Sequence, residues 1–98
     1  MKQGVLEKYE KFLPITPQTP MITLGEGDTP LLRSRQIEKE IGCELYFKLE
    51  GCNPTGSFKD RGMVVAVAKS SHHRRLPQCP SSTGNTSASA AAFGAGFG

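Results

Sequence analysis

Apolar residues at Leu6, Tyr9, Phe12 and Leu13 recur at the three- and four-residue spacing of one helix face, which predicts a short amphipathic helix over residues 5–13. Pro14, Pro17 and Pro20 then fix φ and remove backbone donors, giving an extended lead-in. Residues 24–32 read as a glycine turn followed by a short extended piece. Ser34 caps a further helix with Ile37 and Ile41 about one turn apart, and Gly42 ends it. Over residues 44–50 the rhythm changes: Leu45, Phe47 and Leu49 alternate with Tyr46, Lys48 and Glu50, the period of a strand. A helix starting near Ser57 carries the apolar run 63–68, and an alanine-rich helix starts near Asn85. Helix, strand, helix, a strand position and helix again is the order of an α/β layer with a parallel sheet.

Chemistry concentrates in residues 53–62, Asn-Pro-Thr-Gly-Ser-Phe-Lys-Asp-Arg-Gly. A nucleophilic lysine must be neutral near neutral pH, far below its unperturbed pKa of about 10.4. Ser57 as N-cap, with Asp60 three residues on, puts Lys59 in the first helical turn. There the positive end of the macrodipole and partial burial both disfavour an ammonium ion. The plainer alternative is a solvated lysine beside Asp60. A second cluster, Ser82, Thr83, Gly84, Asn85 and Thr86, precedes the helical run 88–93. Such a loop aims N–H groups and hydroxyls at one spot before a helix N-terminus, which suits an anion. Its plainer alternative is a polar turn that caps an alanine-rich helix.

Three segments carry a resemblance: residues 25–31 (Gly-Glu-Gly-Asp-Thr-Pro-Leu), residues 46–51 (Tyr-Phe-Lys-Leu-Glu-Gly) running into the lysine block, and residues 82–92. In this order they resemble the pyridoxal-phosphate enzymes of fold type II, the tryptophan-synthase β-like group, and within it the threonine synthases. The resemblance covers most of the chain from Leu24 onward. It implies an incomplete N-terminal part of a fold type II enzyme, with a parallel sheet and flanking helices. It also implies that Lys59 holds pyridoxal 5'-phosphate, that Asn85 approaches the ring hydroxyl, and that Ser82, Thr83 and Thr86 hold the substrate carboxylate. Phe58 is the packing neighbour that seats the lysine. The implied reaction converts O-phosphohomoserine and water to threonine and phosphate. A threonine or serine dehydratase shares the Ser-Phe-Lys motif, but the Gly-Glu-Gly opening and Asp60 argue against it.

The chain divides into a lead-in (1–23), a strand and lysine-helix part (24–68), an atypical segment (69–81) and the asparagine loop with the start of its helix (82–98). Within 69–81, Pro77 and Pro80 remove ladder donors and few residues are apolar, so this segment is expected to be irregular, as after a slipped reading frame. The glycine loop expected to cradle the cofactor phosphate is missing from the 98 residues, which makes an inactive truncated fragment a second reading. A net charge of +3 is too weak to argue for nucleic acid, and no apolar run approaches the ~20 residues that cross a bilayer. Cys43, Cys52 and Cys79 are odd in number and widely spaced, which fits reduced thiols in the cytoplasm better than disulfides or a metal. His72 and His73 point different ways on any regular element, so no metal site is expected. The expected partners are the small-molecule substrate and, at full length, further copies of the chain. Glu26 and Asp28 read as solvated turn residues, and Asp60 and Arg61 as a surface pair without chemistry.

Overall fold

The chain enters its first helical turn, α1 (Val5–Lys8), from Gly4 and leaves it at Tyr9, whose φ of −114° and ψ of 23° interrupt the helix before a 3-10 turn at Glu10–Phe12. The single helix expected over 5–13 is therefore split. So short a helix is marginal on its own, and Leu13, the residue before Pro14, is extended (φ −106°, ψ 149°). The structure, a computed structural model, describes residues 2–72 and 84–97.

Strand β1 (Leu31–Arg33) and strand β2 (Tyr46–Lys48) pair antiparallel, with Leu31 opposite Lys48, Leu32 opposite Phe47 and Arg33 opposite Tyr46. Bonds from Leu49 N–H to the Pro30 carbonyl and from Ser34 N–H to the Leu45 carbonyl, both 3.0 Å, extend the ladder at either end. Helix α2 (Arg35–Ile41) connects the strands. Gly42 ends it in the left-handed region, φ 74°, with its N–H on the Glu38 carbonyl, a conformation in which a Cβ would be strained. The Glu38 carboxylate accepts from Arg33 Nε (2.7 Å), Arg33 Nη2 (3.0 Å) and Leu45 N–H (2.9 Å). One side chain thus ties α2 to the sheet, and the Arg33 bond is the chief reason its carboxyl is held below the usual range.

The expected parallel pairing involves a strand position within residues 69–81, of which 73–81 lie outside the described residues, and this sheet is a separate pairing. Among the described residues it has two strands, and they run antiparallel. The short α2 turns the chain straight back beside β1, whereas a parallel pair needs a longer crossover over the sheet face. The strand expected over 44–50 contracts to Tyr46–Lys48, and Leu31, Leu32, Tyr46 and Phe47 are all exposed.

The buried core lies elsewhere, between α1, helix α3 (Lys59–His72) and helix α4 (Asn85–Phe97). Val5 and Leu6 meet Val64, Val67 and Ala68 of α3 and Phe93 of α4, with Leu13, Ile15, Ile22, Met63 and Val65 packed around them. Val64, Val67 and Ala68 recur at one helical face, and four residues before Val64 that face begins at Asp60. Helix α3 starts at Lys59 and continues to His72. The irregular segment expected from Lys69 is thus helical as far as residue 72, and residues 73–81 lie outside the described residues. No helix among the described residues is long and apolar enough to cross a membrane.

Candidate functional site

The lysine block folds as a turn followed by the start of α3. Gly56 takes φ 89°, which turns the chain, and Ser57 Oγ accepts the Lys59 N–H at 3.3 Å. Asp60 does not cap Ser57. Its Oδ2 accepts the Thr55 N–H at 2.8 Å, and its Oδ1 accepts from Thr55 Oγ1 and, at 2.6 Å, from Ser89 Oγ of α4. Asp60 and Ser89 are both fully buried. The expectation of a surface Asp60–Arg61 pair is therefore corrected: Asp60 joins the two long helices near their N-terminal ends. Its place on the core face of α3 puts it among apolar neighbours, where a carboxyl persists only if its oxygens are hydrogen-bonded.

Arg61 pairs instead with Glu50, through Nε to Oε1 (2.6 Å) and Nη2 to Oε2 (2.9 Å), the two-pronged geometry that guanidinium favours. Glu50 also accepts from Thr29 Oγ1 (2.7 Å) and from Asn53 Nδ2 (3.0 Å), while Asn53 Oδ1 accepts the Gly27 N–H (2.9 Å). Lys48 Nζ donates to the Thr29 carbonyl at 2.6 Å. Residues from the glycine turn, the strand and the lysine block are thereby latched together. The Arg61 bond first, and then the Thr29 and Asn53 bonds, hold the Glu50 carboxyl down to about 2.

A folded value below the unfolded one makes the latch contribute stability above the ordinary carboxylate range and lose it as acid protonates Glu50. Unfolding free energy is thus expected to fall between roughly pH 4.5 and pH 2. Glu50→Gln should flatten that stretch of the curve, with at most about 3 kcal/mol at stake and less at physiological salt. Urea denaturation at stepped pH checks it; an unchanged acid slope in Glu50→Gln would reject the latch as its source.

Lys59 is the first residue of α3 and its side chain is exposed, not partly buried as expected. Its Nζ lies 5.1 Å from the centre of the Phe58 ring and has no hydrogen-bond or ion-pair partner among the described residues. Phe58 itself is 58% exposed, so the apolar seat expected of it is not formed here; the ring lies against the lysine rather than the core. Asn85 opens α4 and is exposed, and Thr86 follows it half-buried. Ser82 and Thr83 lie outside the described residues. Among the described residues no hydrogen bond joins Lys59 to Asn85 or Thr86; what relates the two helix starts is the Asp60–Ser89 bond.

Glu26 overturns a further expectation. It is fully buried and accepts from Val5 N–H (3.1 Å), Thr23 Oγ1 (2.8 Å) and Leu24 N–H (3.3 Å), so it closes the glycine turn against α1. Asp28 is exposed as expected and stands 3.9 Å from Lys8 Nζ. A groove of about 710 Å³ between α1 and α3, lined by Val5, Tyr9, Phe12, Leu13, Arg61, Gly62 and Val65, contains none of the candidate residues. No group of His, Cys, Asp or Glu among the described residues could hold a metal ion.

The residues missed from sequence were Asp60, Glu50 and Glu26. For Asp60 a signal existed: it precedes Val64, Val67 and Ala68 by four, seven and eight residues, on their own helical face. For Glu26 and Glu50 the partners Val5, Thr29 and Arg61 are remote in sequence, and the nearby ones, Thr23, Leu24 and Asn53, fit an exposed turn equally well.

Comparison with known proteins gives these features a context. Residues 22–98 match the family described as pyridoxal-phosphate dependent enzyme. A threonine synthase of Halalkalibacterium halodurans is 56% identical over 93 residues, covering 95% of this chain and 26% of that protein. One from Bacillus sp. is 52% identical over 98 residues, all of this chain and 28% of that protein. A threonine synthase of Synechocystis sp. is 47% identical over 93 residues, or 93% of this chain and 24% of that protein. The chain thus spans about a quarter of the length of the curated relatives it matches. It belongs to the pyridoxal-phosphate-dependent enzyme family.

Proposed function

We propose that this member of the family supplies the cofactor-lysine segment of a threonine synthase, which converts O-phospho-L-homoserine and water to L-threonine and phosphate, a carbon–oxygen lyase reaction on a phosphate ester. One observation supports this reading above the rest. The three segments that resemble threonine synthases form one hydrogen-bonded unit, through Gly27–Asn53, Arg61–Glu50 and Asp60–Ser89.

The donor set fits pyridoxal phosphate. An aldehyde needs an accessible primary amine, and the Lys59 amine is exposed and unpaired among the described residues. Asn85, exposed at the start of α4, offers an amide to the ring hydroxyl. When bound, the cofactor supplies an electron sink for the substrate's α carbon. The chain's own residues do the remainder. Lys59 holds the cofactor and then carries protons on its Nζ, Phe58 flanks that amine, and Ser82, Thr83 and Thr86 bind the substrate carboxylate with N–H and hydroxyl donors. The parallel sheet of fold type II, a cytoplasmic location and a homo-oligomer at full length belong to the same proposal.

The test is direct. The chain is mixed with pyridoxal 5'-phosphate, the adduct is fixed with borohydride, and the labelled peptide is mapped by mass spectrometry. Label is expected on Lys59 ahead of the other lysines and is lost in Lys59→Ala, with the circular dichroism spectrum unchanged because the side chain is exposed. Label spread evenly over the lysines would remove Lys59 from this role. Threonine release from O-phosphohomoserine by the protein, absent in Lys59→Ala, tests the substrate.

A further inference from the structure

We propose that Asp60 is a positioning residue for Lys59, setting the start of α3 against the start of α4. This rests on the reading of Lys59 as the cofactor lysine. Asp60 follows Lys59 directly, and its carboxyl is fully buried with three donors on its two oxygens. Two of the donors belong to Thr55, in the turn that leads into Lys59. The third is the buried hydroxyl of Ser89, one helical turn after Asn85. A single carboxyl therefore fixes the turn before the lysine, the first turn of its helix, and the helix that carries Asn85 and Thr86.

The consequence is geometric. The lysine side chain is long and, among the described residues, has no hydrogen bond of its own. Its reach toward a ligand shared with Asn85 depends on where the backbone at the start of α3 is held. Three short bonds to one buried group hold that backbone far more firmly than the exposed turn would by itself, because breaking any of them leaves a buried polar atom unpaired. Asn can keep the bonding: its oxygen accepts the Thr55 N–H, and both hydroxyls can rotate to accept from its amide. Ala cannot.

The experiment compares the borohydride-fixed pyridoxal phosphate label on Lys59, as a share of the label on all lysines, in the parent chain, Asp60→Ala, Asp60→Asn and Ser89→Ala. Helix content is followed by circular dichroism and the Thr55 amide by hydrogen exchange. The Lys59 share is expected to fall about tenfold in Asp60→Ala, as a misplaced reacting group does. It should fall in the same direction in Ser89→Ala and stay near the parent value in Asp60→Asn. A merely structural role would alter the Thr55 amide and leave the share unchanged in the variants that stay folded; that result overturns the proposal. An Asp60→Asn variant as poor as Asp60→Ala overturns it too, since charge and not position would then matter. If Asp60→Ala does not fold, Ser89→Ala decides, because it places a good helix former in α4 and removes one bond. A parent chain without preferential label on Lys59 would instead defeat the reading of that lysine, and this proposal with it.

Discussion

Phe93→Ala is expected to lower the stability of the chain by about 3–5 kcal/mol, the range for emptying the site of a buried aromatic. Phe93 is fully buried and is the largest side chain in a small core, where its helix packs against α3. Val64, Val67 and Ala68 cannot close the gap, because each is fixed on a helix. Small domains carry only about 5–15 kcal/mol in total, so the variant should lose a large share of its stability and unfold at a clearly lower urea midpoint than the parent. Phe12→Ala is the control. That ring is 83% exposed, and its removal should change stability by no more than about 0.5 kcal/mol. Urea titration followed by circular dichroism measures both, and equal midpoints for the two variants would disprove the assignment of the core to α1, α3 and α4.

Glu26→Ala should cost about 2–4 kcal/mol, the second largest loss, and for a different reason. Its carboxylate is the acceptor for the first N–H of α1, for a backbone N–H in the glycine turn and for the Thr23 hydroxyl. Removing it leaves the buried Val5 N–H and the Leu24 N–H without their acceptor. A Cβ built on Gly4 would come within 2.4 Å of Thr23 Oγ1 and 2.8 Å of Glu26 Oε2, so only glycine lets the backbone approach this closely. Glu26→Gln keeps the shape but turns one acceptor into a donor facing an N–H, and should fall between the two. Denaturation midpoints read this order directly; a Glu26→Ala variant as stable as the parent would return Glu26 to the solvent.

The two effects separate what was legible in the sequence from what was not. Elements with a strong local period were legible in kind: the helix that carries Met63 and Val64, the helix from Asn85, the α2 helix ended by Gly42, and strand character around Phe47. Their limits were less so. The strand contracted because no partner covers its faces among the described residues, and α3 began at Lys59 because the turn before it is held by Thr55 and Asp60 rather than by a Ser57–Asp60 capping box. The order of the three motif segments, and with it the family, was also carried by the sequence alone, since residue types and spacing are one-dimensional facts.

The roles of the acidic residues were decided by tertiary structure. Glu26, in a turn, and Asp60, beside a basic residue, read as solvated, and Glu50 reads only as a polar position of a strand. Each is held by donors that the chain brings from elsewhere: Val5 to Glu26, Arg61 and Thr29 to Glu50, Ser89 to Asp60. A hydrogen bond between residues eleven to twenty-nine positions apart leaves no local trace, because either partner alone is compatible with water. Sheet direction was decided in the same way. Alternation fixes which residues share a face of a strand, but the path of the connecting chain fixes which way its neighbour runs, and here α2 brings it back antiparallel.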